Sequence, residues 1–171
     1  APDIKSAPVL FLSLNAKITV EERVDNFVRI ARGGFAFAHH TAPADHTAHD
    51  FVAFAELFLE TPYLWGGKSG HGIDCSGLVQ AALECVAINA PRDADMQEAE
   101  LGSPLPIDNL ANLRRGDLVF WEGHVGILLD NERLLHASAR HMKVAIEPLS
   151  EALAHGERGP ITSIKRLALP G

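Results

Sequence analysis

Cysteine is scarce. Two in 171 residues are too few for the disulfide framework of a small secreted scaffold. No apolar run approaches the roughly 18 residues that a membrane-spanning helix needs. Basic charge is not in excess either. The net charge of −7 argues against nucleic acid or an anionic membrane surface as the main partner. The charges are dispersed, so no acidic or basic tail is indicated. Internal repeats and low-complexity tracts are absent, which removes solenoids and linker-like polymers. The N-terminal stretch "APDIKSAPVLFLSLNAK" lacks the charged start, apolar centre and small-residue cleavage site of a signal peptide, and it begins without Met. Export is therefore left open. What is present is an ordinary globular composition, 47% hydrophobic and 22% charged, sufficient for one good core and a smaller one.

The first forty residues alternate as strands do, in "VLFLSL" (9–14), "KITVEE" (17–22), "NFVRIA" (26–31) and "GFAFA" (34–38), with short breakers between them. That spacing suits a small antiparallel barrel or meander. "HHTAPADHTAHD" (39–50) is polar, contains Pro43 and reads as a linker. Its four histidines, His39, His40, His46 and His49, match no familiar zinc spacing. A helix is expected over 50–60, from the apolar stripe Phe51, Phe54, Ala55, Phe58 and Leu59, and Pro62 ends it. A second helix is expected over 75–88. After a Pro-rich connection through Pro91, Pro104 and Pro106 come strands over 117–121, 124–130, 133–139, 143–149 and 162–167. Helices first and an antiparallel meander after is an α+β order.

Cys75 stands where a loop turns into the 75–88 helix. A helix N-terminus favours a thiolate, and Asp74 is a natural N-cap. The charge of Asp74 opposes ionisation of its neighbour, so a cation must offset it, and an imidazolium is the usual one. Cys75 and Cys85 on one helix lie about 15 Å apart, too far for a disulfide. Cys85 therefore reads as a small core side chain. His124 opens one strand and His136 lies on the next. The two share a face of the sheet only if the facing position numbers of the hairpin have an even sum. A two-residue loop, Asn131-Glu132, gives an odd sum; a three-residue loop, 130–132, gives an even one. A catalytic reading thus demands an odd loop length or a bulge.

"TPYLWGGKSGHGIDCSGLVQ", "RRGDLVFWEGHVGILL" and "RLLHAS" together resemble the nucleophile, base and third-residue blocks of the NlpC-type cell-wall peptidases, a papain-like cysteine peptidase family. The resemblance covers roughly residues 51–168. It implies an α+β papain-like fold, helices packed on an antiparallel sheet. "GGFAFAHHTAP" similarly resembles the closing strand of a bacterial SH3-like domain. The expected organisation is a partial SH3-like β-barrel over 1–45, a linker over 46–50 and the peptidase domain over 51–171.

Carried over by position, the resemblance makes Cys75 the nucleophile, His124 the general base and His136 the residue that orients it. The Cys75 N–H would contribute to the oxyanion hole, with the Tyr63 hydroxyl as second donor. Asp74 and Ser76 match positions that hold a substrate amino terminus in relatives taking free stem peptides. Arg92 and Gln97, in "APRDADMQ", match a loop bordering the cleft. The implied reaction is hydrolysis of the γ-D-glutamyl–diamino acid bond of peptidoglycan stem peptides or recycled muropeptides through an acyl-enzyme. It needs no metal or other cofactor. A bacterial protein is implied, acting on recycled fragments in the cytoplasm or on the wall outside it. Two alternatives stay open at this point: an amidase or acyltransferase on the same scaffold, and a non-catalytic peptidoglycan-binding module. Ser76 lacks the flanks of a serine-nucleophile elbow, and glycines 66–72 lack the Lys-Ser/Thr ending of a phosphate loop.

Overall fold

A computed structural model of the chain describes residues 2–31, 33–108, 110–154 and 159–168, which divide at Thr47/Ala48 into two units. In the first unit, β1 (Val20–Val24), β2 (Phe27–Ile30) and β3 (Phe35–Phe37) form an antiparallel meander. Asp25 makes the first reversal at φ 53°. The strand expected over 9–14 does not form. Val9, Leu10 and Phe11 lie exposed in irregular backbone outside the three-stranded sheet. The meander is open rather than a closed barrel. His39 and His40 rest against the ring of Phe37, and among the described residues the four linker histidines form no group able to hold a metal.

The second unit opens with α1 (Phe51–Glu56), shorter than expected and capped by Asp50, whose carboxylate accepts from the Val52 and Ala53 N–H groups. A small hairpin of β4 (Lys68–Ser69) and β5 (Gly72–Ile73) leads directly into α2 (Cys75–Glu84). This helix stops four residues before the expected end. Ala87 adopts φ 59°, the Ile88 N–H donates to the Leu83 carbonyl, and the Ala87 N–H donates to that of Glu84. The Schellman closure usually falls to glycine; here alanine serves. Beyond it come α3 (Ala94–Glu100), β6 (Ser103–Leu105), β7 (Leu118–Trp121), β8 (His124–Leu128), β9 (Arg133–Ser138), β10 (Lys143–Pro148), α4 (Leu149–Ala154) and β11 (Ser163–Arg166).

The large sheet has six strands in the order β10-β9-β8-β7-β11-β6, antiparallel throughout. The helix-then-meander order expected of an α+β fold is thus present, with β6 as an unanticipated edge. Pro104 obscured β6 in the sequence, but a proline is tolerated on an edge strand. One face of the sheet carries Leu118, Phe120, Val125, Ile127, Leu135 and Val144 against Phe51, Phe58, Leu78, Val79 and Leu83 of the helical side. The other face buries Val119, Trp121, Leu128, Leu134, Leu149 and Ile164. The buried carboxylate of Asp117 fastens β7 to β11 by accepting two 2.7 Å bonds from Arg166.

Candidate active site

The approach to α2 is built without side-chain clearance. A Cβ on Gly77 would lie 2.3 Å from the carbonyl oxygen of Gly67, so the first turn of the helix and the loop before β4 meet backbone to backbone. Asp74 stitches the same junction. Its Oδ1 accepts from the Gly77 N–H at 2.7 Å and its Oδ2 from the Gly66 N–H at 2.7 Å. Cys75 is the first residue of the helix and is buried. Its N–H is among those an α-helix does not use internally.

Arg92 closes on Asp74 from the segment before α3. Nη1 donates to Asp74 Oδ1 at 2.9 Å and to Ser76 Oγ at 2.9 Å; Nη2 donates to Asp74 Oδ2 at 2.6 Å and to the Gly67 carbonyl at 3.2 Å. Burial alone raises the Asp74 pKa, but the Arg92 hydrogen bonds, helped by the Gly77 and Gly66 N–H groups, outweigh it and hold the carboxyl below its usual range. The guanidinium is in turn held protonated, first by its hydrogen bonds to Asp74, and the charge of Cys75 adds to the effect. The cation needed to offset Asp74 is therefore Arg92. Gln97, fully buried, donates to the carbonyls of Ser76 and Pro91, tying α3 to the start of α2.

Ile127 faces Leu135 and Leu128 faces Leu134, so the facing numbers of β8 and β9 sum to 262. The sum is even. The Leu129 N–H closes a three-residue loop on the Arg133 carbonyl at 2.9 Å. His124 and His136 consequently share a face, and His124 Nε2 lies 2.9 Å from His136 Nδ1. Both rings are buried, at 1% and 3% exposure. A two-residue turn, Glu122-Gly123, with Gly123 at φ 67°, places His124 at the first position of β8 opposite Trp121. Tyr63 is half-buried, its N–H on the Met142 carbonyl, and it bridges to Ile73, two residues before Cys75.

Glu147 was not singled out by the sequence. It is buried on β10, with Oε1 2.9 Å from His136 Nε2 and Oε2 3.2 Å from His141 Nε2. Among the described residues, these three side chains bring their donor atoms within 4.8 Å of one another, close enough to share a divalent ion. The His141 contact is a hydrogen bond, whereas the His136 contact is an ion-pair distance without hydrogen-bond alignment. Cys85 stands at the other end of α2, as its C-cap. Burial first, and the charge of Asp50 second, push its thiol up to about 11, and its Sγ donates to the Ala82 carbonyl at 2.9 Å.

The sequence model of the NlpC/P60 family matches residues 60–157. A gamma-D-glutamyl-L-lysine dipeptidyl-peptidase of Bacillus subtilis is 35% identical over 119 residues, covering 65% of this chain and 39% of that protein. Dipeptidyl-peptidase 6 of Lysinibacillus sphaericus is 36% identical over 114 residues, covering 67% and 41%. The chain therefore spans about two fifths of the length of these curated relatives. Among solved structures, an NlpC/P60 family protein from Bacillus cereus superposes with a TM-score of 0.70 at 24% identity over 93% of this chain and 56% of that one. The peptidoglycan hydrolase RipB of Mycobacterium tuberculosis gives 0.57 at 29% identity, covering 71% and 64%.

Proposed function

The chain belongs to the NlpC/P60 family, and on that footing we propose that it is a cysteine peptidase cutting the γ-D-glutamyl–diamino acid bond of peptidoglycan stem peptides. The observation that carries the reading is the buried 2.9 Å contact between His124 and His136, on strands against which the Cys75 helix packs. In this reading the Cys75 thiolate attacks the scissile carbonyl carbon, and the oxyanion is held by the Cys75 N–H and the Tyr63 hydroxyl. The C–N bond breaks as His124 passes its proton to the leaving amine, and water then hydrolyses the thioester with His124 as base. His136 keeps the His124 ring in line.

Asp74, Ser76 and Arg92 form the amino-terminal end of the substrate site. An incoming amine meets a carboxylate already neutralised by a guanidinium, so it exchanges with one Arg92 contact rather than pairing with a bare charge. The relative named for γ-D-glutamyl-L-lysine supports the bond class. The N-terminal meander is an SH3-like piece in the same proposal.

The test is hydrolysis of L-Ala-γ-D-Glu-meso-diaminopimelate, followed by the appearance of free diaminopimelate. Cys75→Ala abolishes it, whereas Cys85→Ala leaves it within two-fold of the unmodified chain. Iodoacetamide at neutral pH modifies Cys75 and spares Cys85. Equal alkylation of both thiols, or turnover by Cys75→Ala, defeats the reading.

A further inference from the structure

The relay does not end at His136. Glu147 pairs with Leu134 across β9–β10, and the adjacent same-face pair is Ala145 with His136, so its carboxylate lies diagonally beside the His136 ring. Both partners are buried, and the carboxylate has an imidazole nitrogen on each oxygen. We infer that Glu147 is a positioning residue that fixes which ring nitrogen of His124 is left bare to receive the thiol proton. The inference rests on the peptidase reading and deepens it.

Protons can be counted along the three side chains. An ionised carboxylate only accepts, and its Oε1 lies 2.9 Å from His136 Nε2 in an ion-pair contact, so that nitrogen must present a hydrogen there and not its lone pair. A neutral ring bears one such hydrogen, so His136 Nδ1 is an acceptor. His124 Nε2, 2.9 Å away, must then be the donor. That leaves His124 Nδ1 without a proton. With no carboxylate at its far end, the same pair of rings could run in the opposite sense, which would put the hydrogen on His124 Nδ1 and remove the base. Glu147 selects one sense out of two. When His124 takes the thiol proton, the second charge arises two rings from a buried anion, which favours the imidazolium.

The groups facing this relay come from four places: Arg92 and Asp74 at the thiol end, His136 from β9, His141 from the β9–β10 turn, and Glu147 from β10. The outer oxygen of Glu147 is held by His141, whose side chain is about one-third exposed.

Two measurements on the full chain test the inference. The first needs no activity. Nitrogen-15 spectra of histidine-labelled Cys75→Ala, at a pH where the rings are neutral, should show His124 bare at Nδ1 and protonated at Nε2, and His136 protonated at Nε2. A proton on His124 Nδ1 overturns the proposal. The second uses Glu147→Gln, which keeps the shape and removes the charge. The expected result is a kcat lower by roughly 10- to 100-fold, as for other partners of a ligating or catalytic imidazole. KM should change less than two-fold, and the alkaline limb of the pH–rate profile should move down by about one unit. Glu147→Asp should recover part of kcat. An unchanged alkaline limb, with kcat falling only in step with thermal stability, reduces Glu147 to a structural residue and overturns the proposal. Absence of hydrolysis by the unmodified chain would instead strike the peptidase reading, leaving the tautomer result to stand by itself.

Discussion

Replacing Arg92 by Met tests the electrostatics of the proposed nucleophile, Cys75, directly. The substitution keeps much of the aliphatic stem and removes the guanidinium that donates to both oxygens of Asp74. Breaking a buried pair from one side costs about 3–5 kcal/mol. Here the side chain of Arg92 is 32% exposed, and the Gly66 and Gly77 N–H groups remain on the carboxylate. A loss of about 2 kcal/mol is therefore expected. The chemical consequence is separable from it. An uncompensated carboxylate one residue from the thiol, at an effective dielectric of about 20, opposes the thiolate by on the order of 2–3 kcal/mol, and the two retained N–H bonds reduce this to roughly one to two pKa units. The assay is the pH dependence of iodoacetamide alkylation. Cys85, pushed up to about 11, contributes little below pH 9. The alkylation midpoint of Arg92→Met should rise by one to two units, and the double variant Asp74→Asn/Arg92→Met should return to within half a unit of the original. A midpoint that stays put while the melting temperature drops would show that Arg92 holds the loop and does nothing for the sulfur.

Two further outcomes follow from the same junction. Gly77→Ala gains about 1 kcal/mol in helix propensity but drives a methyl to 2.3 Å from the Gly67 oxygen and 2.9 Å from Asp74 Oδ1. A net loss of about 2–3 kcal/mol is expected, seen as a melting temperature lower by roughly 10 °C, with activity reduced because the first turn of α2 must shift. An unchanged melt would mean that the loop yields freely. The second outcome concerns acid. The folded pKa of Asp74 lies below its unfolded value near 3.8, so its stabilising contribution is present above that value and is lost as pH falls toward the folded one. Urea midpoints measured from pH 6 down to pH 2 should therefore drop less steeply below pH 4 in Asp74→Asn than in the unmodified chain. Parallel curves would count against the shift.

Much of this site could be read from single positions. Asp74 as cap, Cys75 as first helical residue and the parity condition on His124 and His136 all rest on local rules that the tertiary structure did not need to override. The three-residue loop satisfied the parity condition through one hydrogen bond, from Leu129 to Arg133. Glu147 escaped because in "KVAIEPL" a charged residue after an apolar run reads as a solvent-facing position. That reading holds for sheets with one wet face. This sheet buries both, and Leu134 and Trp121 were the available hint that its second face is covered. Arg92 lay seventeen residues from Cys75 in a Pro-bounded loop, where no periodicity shows which way a side chain points. The absent strand over 9–14 fails for a different reason. β-propensity describes a residue that fits a pleated, half-buried surface, and Val9, Leu10 and Phe11 stay mostly exposed.

The two buried carboxylates of the site are treated oppositely. Asp74, next to the sulfur, is cancelled by a permanent cation that titration cannot remove. Glu147, at the far end of the rings, has imidazoles as its described partners, groups that can gain or lose charge. In the proposed roles, moving a proton from Cys75 to His124 creates a negative charge beside the Asp74–Arg92 pair rather than beside a bare carboxylate, and a positive charge on the side of an anion. The same transfer in the reverse arrangement, with Arg92 on Glu147 and Asp74 bare, would be disfavoured at both ends. Because Arg92 and Glu147 act on different charges of the same ion pair, and do not touch each other, their separate losses should add in the free energy of thiolate formation. Asp74 and Arg92, in direct contact, should instead compensate, and that contrast between additive and compensating pairs distinguishes a relay biased from both ends from a thiol tuned only by its helix.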